Sequence, residues 1–292
     1  MARTSALARH RTRTGRAMVI PALALVTLLL GIPIIQAVYY SMTQWDGITA
    51  TWIGPSAYVN EFKDPTFWRV LENNGLLLLA VPVAMFIPLG LAFLLNERVA
   101  GWKVFRSIYF LPTAISWVVI GMVAVRFFAY GGQLNGLLAS VGLSSVHTDL
   151  LSGEYTALLA VGLTFIWSML GTNTIIFLTG MATLDPSLAE AARVDGAGGM
   201  RVFWHISLPQ LKRFIQFSLI ITLISAFTAL FSLIFVMTGG GPGYGTTTLE
   251  FFVYQTGFSQ GMFGTGALLG VVLFVIMAII GIAQLRILRT KD

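Results

Sequence analysis

Cysteine is absent from the 292 residues, so no disulfide staples an exposed loop and no thiolate can hold a metal. Histidine is scarce: His10, His147 and His205 lie far apart and form no H-x-x-x-H pair, which leaves no metal-ligand spacing to read. The nucleotide-binding pattern G-x-x-x-x-G-K-[ST] is missing. The stretch Gly239-Gly240-Gly241-Pro242-Gly243 is followed by no lysine, so it reads as a turn feeding a short helix around 247–258. Charge is sparse as well, at 10% of residues. No acid falls in the middle of an apolar run. Glu72 and Glu250 sit outside such runs or at their edges, and the intramembrane carboxylates of a proton relay are therefore absent.

What is present is apolar residue in long runs. Hydrophobic residues make up 56% of the chain and mean hydropathy is +0.82. Several runs exceed the ~18 residues that mark a membrane span. Six spans are predicted, at 17–40, 75–95, 107–129, 156–180, 214–237 and 263–285. At ~1.5 Å rise per residue, each crosses a hydrocarbon core of ~30 Å. The expected fold is an all-α polytopic membrane protein. A basic tail, 1–16, precedes one six-span domain, 17–292. The first run is too long for a signal-peptide core and no A-x-A site follows it, so it reads as a retained span.

The net charge of +6 is explained by placement. Arg3, Arg9, Arg11, Arg13 and Arg16 lie in the tail, and Arg98, Lys103 and Arg106 between spans two and three. Arg193, Arg201, Lys212 and Arg213 lie between spans four and five, and Arg286, Arg289 and Lys291 at the C-terminus. Fifteen of the 18 cations thus fall on one side, leaving Lys63, Arg69 and Arg126 on the other. Cytoplasmic loops retain positive charge, so both termini and the stretch 181–213 are expected in the cytoplasm. The basic balance is a topology signal and not a nucleic-acid footprint. The outer loops carry Trp45, Trp52, Tyr58, Trp68, Tyr130, Tyr244 and Tyr254. Such aromatics anchor span ends at the interface or meet an extracytoplasmic partner.

Polar residues inside the spans concentrate in the fourth, with Thr164, Trp167, Ser168, Thr172, Asn173 and Thr174, and in the fifth, with Gln216, Ser218, Thr222, Ser225, Thr228 and Ser232. They read either as hydrogen bonds between helices or as a neutral, hydroxyl-lined path for a polyhydroxylated solute. In the second reading Trp167 offers a ring for a sugar to stack on, beside Thr172, Asn173, Thr222 and Ser225. Gly266-x-x-x-Gly270 fits close helix packing.

The excursion 181–213 is polar and Gly-rich between apolar runs. Asp185-Pro186 is a helix start and Ser187–Asp195 a short helix with Leu188, Ala191 and Ala192 on one face. Gly196 can stop it, and Gly198 and Gly199 leave a hinge. A second helix follows with Met200, Phe203, Trp204 and Leu208 on one face, ended by Pro209. A face of that size must be buried on the membrane, on the chain's own spans, or in a groove of another protein.

The motif E-A-A-x-x-D-G-A followed by I-x-L-P is carried by Glu190-Ala191-Ala192, Asp195-Gly196-Ala197 and Ile206-x-Leu208-Pro209. With it the chain resembles the membrane subunits of binding-protein-dependent ABC importers over nearly its whole length. Leu111-Pro112-Thr113, the Gly132…Asn135 turn, Thr238–Pro242, Tyr254, Phe258 and Gly264 resemble that family's carbohydrate branch. The resemblance implies a permease subunit of the bacterial cytoplasmic membrane that moves a sugar or sugar derivative and catalyses nothing itself. Implied partners are a second, homologous permease, two ATP-binding subunits that bind the ATP and Mg, and an extracytoplasmic solute-binding protein. Glu190, Ala191, Ala192, Asp195, Gly196, Leu208 and Pro209 would form the loop that couples to the ATPase. Many relatives have a second proline where this chain has Arg213. An ion-coupled secondary carrier, a non-transporting scaffold, and an ABC permease for a non-sugar solute such as a phospholipid or amino acid are the rival readings.

Overall fold

The computed structural model describes residues 18–97, 101–143 and 149–289; the basic tail 1–16, Arg98, His147 and Lys291 lie outside them. The elements are α1 (Met18–Tyr40), the strands β1 (Thr43–Trp45) and β2 (Ala50–Trp52), α2 (Ser56–Glu61) and α3 (Pro65–Asn96). They continue with α4 (Trp102–Phe110), α5 (Trp117–Phe128), α6 (Gln133–Ser140), α7 (Glu154–Met181) and α8 (Pro186–Val194). After α9 (199–210) come α10 (Lys212–Met237), α11 (Leu249–Tyr254) and α12 (Phe263–Arg289). The antiparallel hairpin pairs Thr43 with Trp52 and Trp45 with Ala50, a small addition to an expected all-α fold.

Among the described residues, five helices are long and apolar enough to cross a membrane: α1, α3, α7, α10 and α12. The third predicted span, 107–129, is not a single rod. Ser107–Ala114 and Trp117–Phe128 meet at 115°, and six crossings are reached only if this bent pair counts as one. The cause is local. Pro112 sits in a 3-10 turn, Leu111–Ala114, and Ile115 is extended. Ser116 then restarts the helix by accepting a hydrogen bond from the Val119 N–H, 3.4 Å. The 12 residues of α5 cover ~18 Å at ~1.5 Å each.

The second span also differs from expectation, since α3 begins at Pro65 and not near 75. Asp64 caps it by accepting from the Thr66 N–H at 2.8 Å, and Pro65 takes the first helical position. The capped first turns are too polar for hydropathy to include them.

The described residues fall into two compact units, one drawn from 1–63 with 253–277 and the other from 64–252 with 278–292. In the first, Trp45 of β1 stacks on Tyr40 with ring centroids 4.1 Å apart and meets Phe263 at 5.4 Å. The Ser41 and Tyr58 hydroxyls share a hydrogen bond of 2.7 Å. Of the G-x-x-x-G pair only Gly266 is used for a close approach, to the backbone of Gly257; Gly270 faces open space.

In the second unit α3, α5, α7 and α10 pack on one another. Between lipid-embedded helices the drive is close van der Waals fit, which small residues permit. Ala84 and Ala92 of α3 and Ala157 and Ala160 of α7 are fully buried. Gly171 of α7 lies so close to the 3-10 turn that a Cβ there would run into Tyr109 O and the Thr113 methyl. Larger side chains, Phe165, Phe177, Leu230, Leu233 and Ile234, fill the remaining space.

Candidate functional site

The excursion between α7 and α10 is built as the sequence suggests at its start. The Asp185 carboxylate accepts from the Ser187 N–H at 2.9 Å, and the Ser187 N–H and hydroxyl together hold its pKa below the usual aspartate value. Pro186 opens α8. At the other end Ala197 N–H reaches Ala192 O at 2.9 Å and Gly196 N–H reaches Arg193 O at 3.0 Å, the two bonds of a Schellman cap. Gly196 sits at φ +84°, a left-handed conformation that a residue with a Cβ rarely adopts. A Cβ there would meet nothing within 4 Å, so backbone conformation alone demands glycine.

The second segment departs from expectation. It starts as an α-turn, Gly199–Val202, and widens into a π-turn over Phe203–Ser207, closed by Leu208 N–H to Phe203 O. Pro209 does not end it; the break falls at Leu211, just before α10. A proline crowds the carbonyl four residues back and donates no N–H to it, and a wider turn absorbs both faults. The widening also divides the predicted apolar face. Phe203 turns inward, 5% exposed, against Leu89, Ala92, Phe177, Met181 and Leu211, with Leu208 and Phe93 packed on the same cluster. Its ring centroid is 4.6 Å from that of Phe93. Met200 and Trp204 instead stand out at 61% and 55% exposure.

One further contact joins the excursion to the end of α3. Arg193 Nη2 donates to both Glu97 oxygens, at 2.8 and 2.9 Å. The partners are 96 residues apart, and no sequence signal beyond opposite charge at the ends of two segments could have paired them. Between α3, α8 and α9 remains an open cleft of ≈ 450 Å³, lined by Phe93, Glu97, Asp185, Glu190, Arg193 and Phe203 among others. Glu190 thus borders a concavity. Ala191, Asp195, Gly196 and Pro209 are exposed, and Ala192 and Leu208 are half-buried.

The polar residues of α7 and α10 separate into two groups. Asn173 and Thr222 are fully buried and spent on each other. Asn173 Nδ2 donates to Thr222 Oγ1 at 3.0 Å and to Ala84 O at 2.7 Å. Its Oδ1 accepts from Ser218 Oγ at 2.9 Å. Ala84 O is the carbonyl that an N–H at position 88 would bond within α3, and position 88 is Pro88, inside the helix. Asn173 therefore satisfies a backbone group that proline has released, as a helix in lipid requires. Asn173 and Thr222, expected along a solute path, thus bond three helices together. Thr164, Ser168, Thr174 and Thr228 likewise bond carbonyls four residues back in their own helices. Trp167 remains on a cleft, 37% exposed, with Val123, Phe127, Phe128, Leu163 and Thr164 around ≈ 380 Å³. Thr172 and Ser225 are half-buried.

With this geometry in hand, comparison with known proteins decides the family. Residues 76–290 match the model of the binding-protein-dependent transport system inner membrane component. The chain belongs to this family. It is 33% identical over 279 residues to the probable ABC transporter permease protein YurN of Bacillus subtilis, covering 93% of this chain and 94% of that one. It is 36% identical over 277 residues to the sulfoquinovosyl glycerol transport system permease protein SmoG of Agrobacterium fabrum, covering 93% and 89%. Among solved structures it resembles a chain of a bacterial ABC transporter involved in the import of the acidic polysaccharide alginate. That likeness has a TM-score of 0.79 at 25% identity over 97% of this chain and 98% of that one. The protein is a multi-pass inner-membrane permease component of an ABC transporter, a transport subunit and not an enzyme. Family membership removes the ion-coupled carrier and the non-transporting scaffold from consideration.

Proposed function

We propose that this permease serves an importer for a sugar or sugar derivative, and that residues 181–213 are its docking element for a cytoplasmic ATPase. Support for the solute class comes from relatives named for sulfoquinovosyl glycerol and multiple sugars, and from the structural neighbour named for alginate. Of the path residues expected from the sequence, Trp167, Thr172 and Ser225 keep exposed surface for contact with such a solute. The same reading supplies a second, homologous permease, two subunits that bind ATP and Mg, and an extracytoplasmic solute-binding protein. Both termini and the excursion lie in the cytoplasm, in keeping with fifteen of 18 cations on one side.

The observation that carries the docking role is the division of the excursion's apolar face. Phe203 anchors α9 to the chain's own helices, while Met200 and Trp204 remain exposed beside a rigidly capped α8. A helix anchored on one side with an aromatic residue bare on the other is suited to insert into a groove and pass on its motion. The test is purification from the native membrane. Two nucleotide-binding chains, a second permease and a bound sugar should co-elute. Elution with a non-sugar solute would overturn the solute class, and elution without any nucleotide-binding chain would overturn the docking role.

A further inference from the structure

On the side of the second unit away from the excursion, the loop 239–252 hangs on two adjacent side chains of α3. Asn73 Nδ2 donates to Tyr244 O at 2.7 Å and to Thr247 O at 2.9 Å. Asn74 Oδ1 accepts from the Leu249 N–H at 2.7 Å, which turns its Nδ2 toward Glu250 Oε2 at 3.3 Å. Both asparagines are buried. The loop is also tied to itself, through Thr247 Oγ1 to Gly240 O at 2.9 Å, Thr246 Oγ1 to Gly241 O at 2.8 Å, and the Thr238–Thr246 hydroxyl pair at 2.7 Å. These ties make the loop one hydrogen-bonded piece. At the centre of the seat the second carboxyl oxygen, Glu250 Oε1, is buried with no hydrogen-bond partner among the described residues.

We propose that Glu250 is a proton-operated clamp: neutral, it lets the loop seat on Asn73 and Asn74 of α3; ionised, it drives the loop off. A neutral acid takes the Asn74 amide on its carbonyl oxygen and leaves one uncharged O–H buried without an acceptor. A carboxylate would leave a charged oxygen buried and unpaired, among the costlier things a fold can hold. No cation among the described residues compensates it. On α3 the facing groups are the neutral Asn73 and Asn74, and on the loop Thr248. Arg69 and Glu72 of α3 and Glu154 of α7 are paired with one another. Burial accordingly pushes the Glu250 carboxyl up to about 7, while its own backbone N–H, Thr248 and Asn74 draw it the other way less strongly. The seated loop thus binds the proton more tightly than the lifted loop. Seating is strongest in acid and weakens as pH rises from the ordinary glutamate value of 4.5 toward 7.

That the clamp answers to the outer medium rests on the proposed orientation of the chain, and the experiment separates the two. Because the chain has no cysteine, Thr247→Cys, at a buried position, reports lifting through a membrane-impermeant maleimide. It is measured in the intact transporter, in sealed vesicles of each orientation, with and without Glu250→Gln. Dividing the labelling rate in the Glu250 parent by that in the Glu250→Gln background cancels the thiol's own pH dependence. This ratio should rise about tenfold between about pH 6 and about pH 8. A ratio that stays flat overturns the clamp. Labelling only from the cytoplasmic side overturns the orientation, while the pH ratio still decides the clamp. Amide hydrogen exchange over 244–252, parent against Glu250→Gln, gives the same ratio without the cysteine, and a flat ratio there is equally fatal.

Discussion

Asn173 lies where α3, α7 and α10 meet, and replacing it with leucine removes its hydrogen bonds to three partners at once: Thr222, Ser218 and Ala84 O. Two of these partners, Thr222 and Ser218, are side chains of α10, and such bonds are each worth ~0.6 kcal/mol on average between membrane helices and up to ~1.7. Thr222 loses little of its own satisfaction, because its hydroxyl also donates to Ser218 O at 2.7 Å. The third bond matters more. Ala84 O would be left with neither Asn173 nor an N–H at Pro88, and an unsatisfied backbone group in hydrocarbon costs several kcal/mol. The expected loss for Asn173→Leu is about 2–4 kcal/mol. Pro88→Ala returns an N–H to Ala84 O, so the double variant should lose less than the sum of the two single ones. The assay is the folded fraction in mixed detergent–SDS micelles, arranged as a double-mutant cycle. Additive losses would refute the claim that Asn173 serves the carbonyl released by Pro88. Unchanged stability with impaired uptake would return Asn173 to the solute path.

Two other expectations concern the excursion. Gly196→Val should cost ~1–2 kcal/mol locally, from the left-handed backbone alone. It should insert and fold normally, yet lose most ATP-driven uptake and ATPase co-purification, as should Glu190→Lys; full uptake by both would make 181–213 a mere connector. Arg193 and Glu97 are both partly exposed, so Glu97→Gln should shift stability by less than ~1 kcal/mol, and less still at high salt. A larger loss in thermal unfolding would mean that the pair is a true structural fastening.

Much of this chain is legible without coordinates, because lipid imposes simple rules. Apolar length gave five unbroken crossings, and Asp185-Pro186 and Gly196 marked both ends of α8. The bend within 107–129 was written in Pro112 and Ser116, but an apolar average smooths over a single proline. The division of Met200 and Trp204 from Phe203 was not legible, because the helical period assumes 3.6 residues per turn and the π-turn over Phe203–Ser207 breaks it. Asn173 and Thr222 looked like path residues because a polar side chain in an apolar run is equally suited to water or to another helix. The bond to Ala84 O, freed by Pro88, is visible only in the structure. Asn73, Asn74 and Glu250 escaped notice as a group, since the asparagines and their loop partners lie more than 170 residues apart.

The central claim, that α8 and α9 are the surface a cytoplasmic ATPase grips, is tested most directly by protection of single cysteines in this cysteine-free chain. Val194 and Trp204 are exposed at 87% and 55%, and Tyr130, in a loop on the opposite side of the proposed orientation, at 70%. Each is replaced by cysteine in turn and its labelling rate is measured with and without the ATPase subunits bound. Val194→Cys and Trp204→Cys should be slowed at least about tenfold on assembly, as burial in a tight interface requires, while Tyr130→Cys keeps its rate. Equal labelling of all three in the assembled transporter would contradict the account.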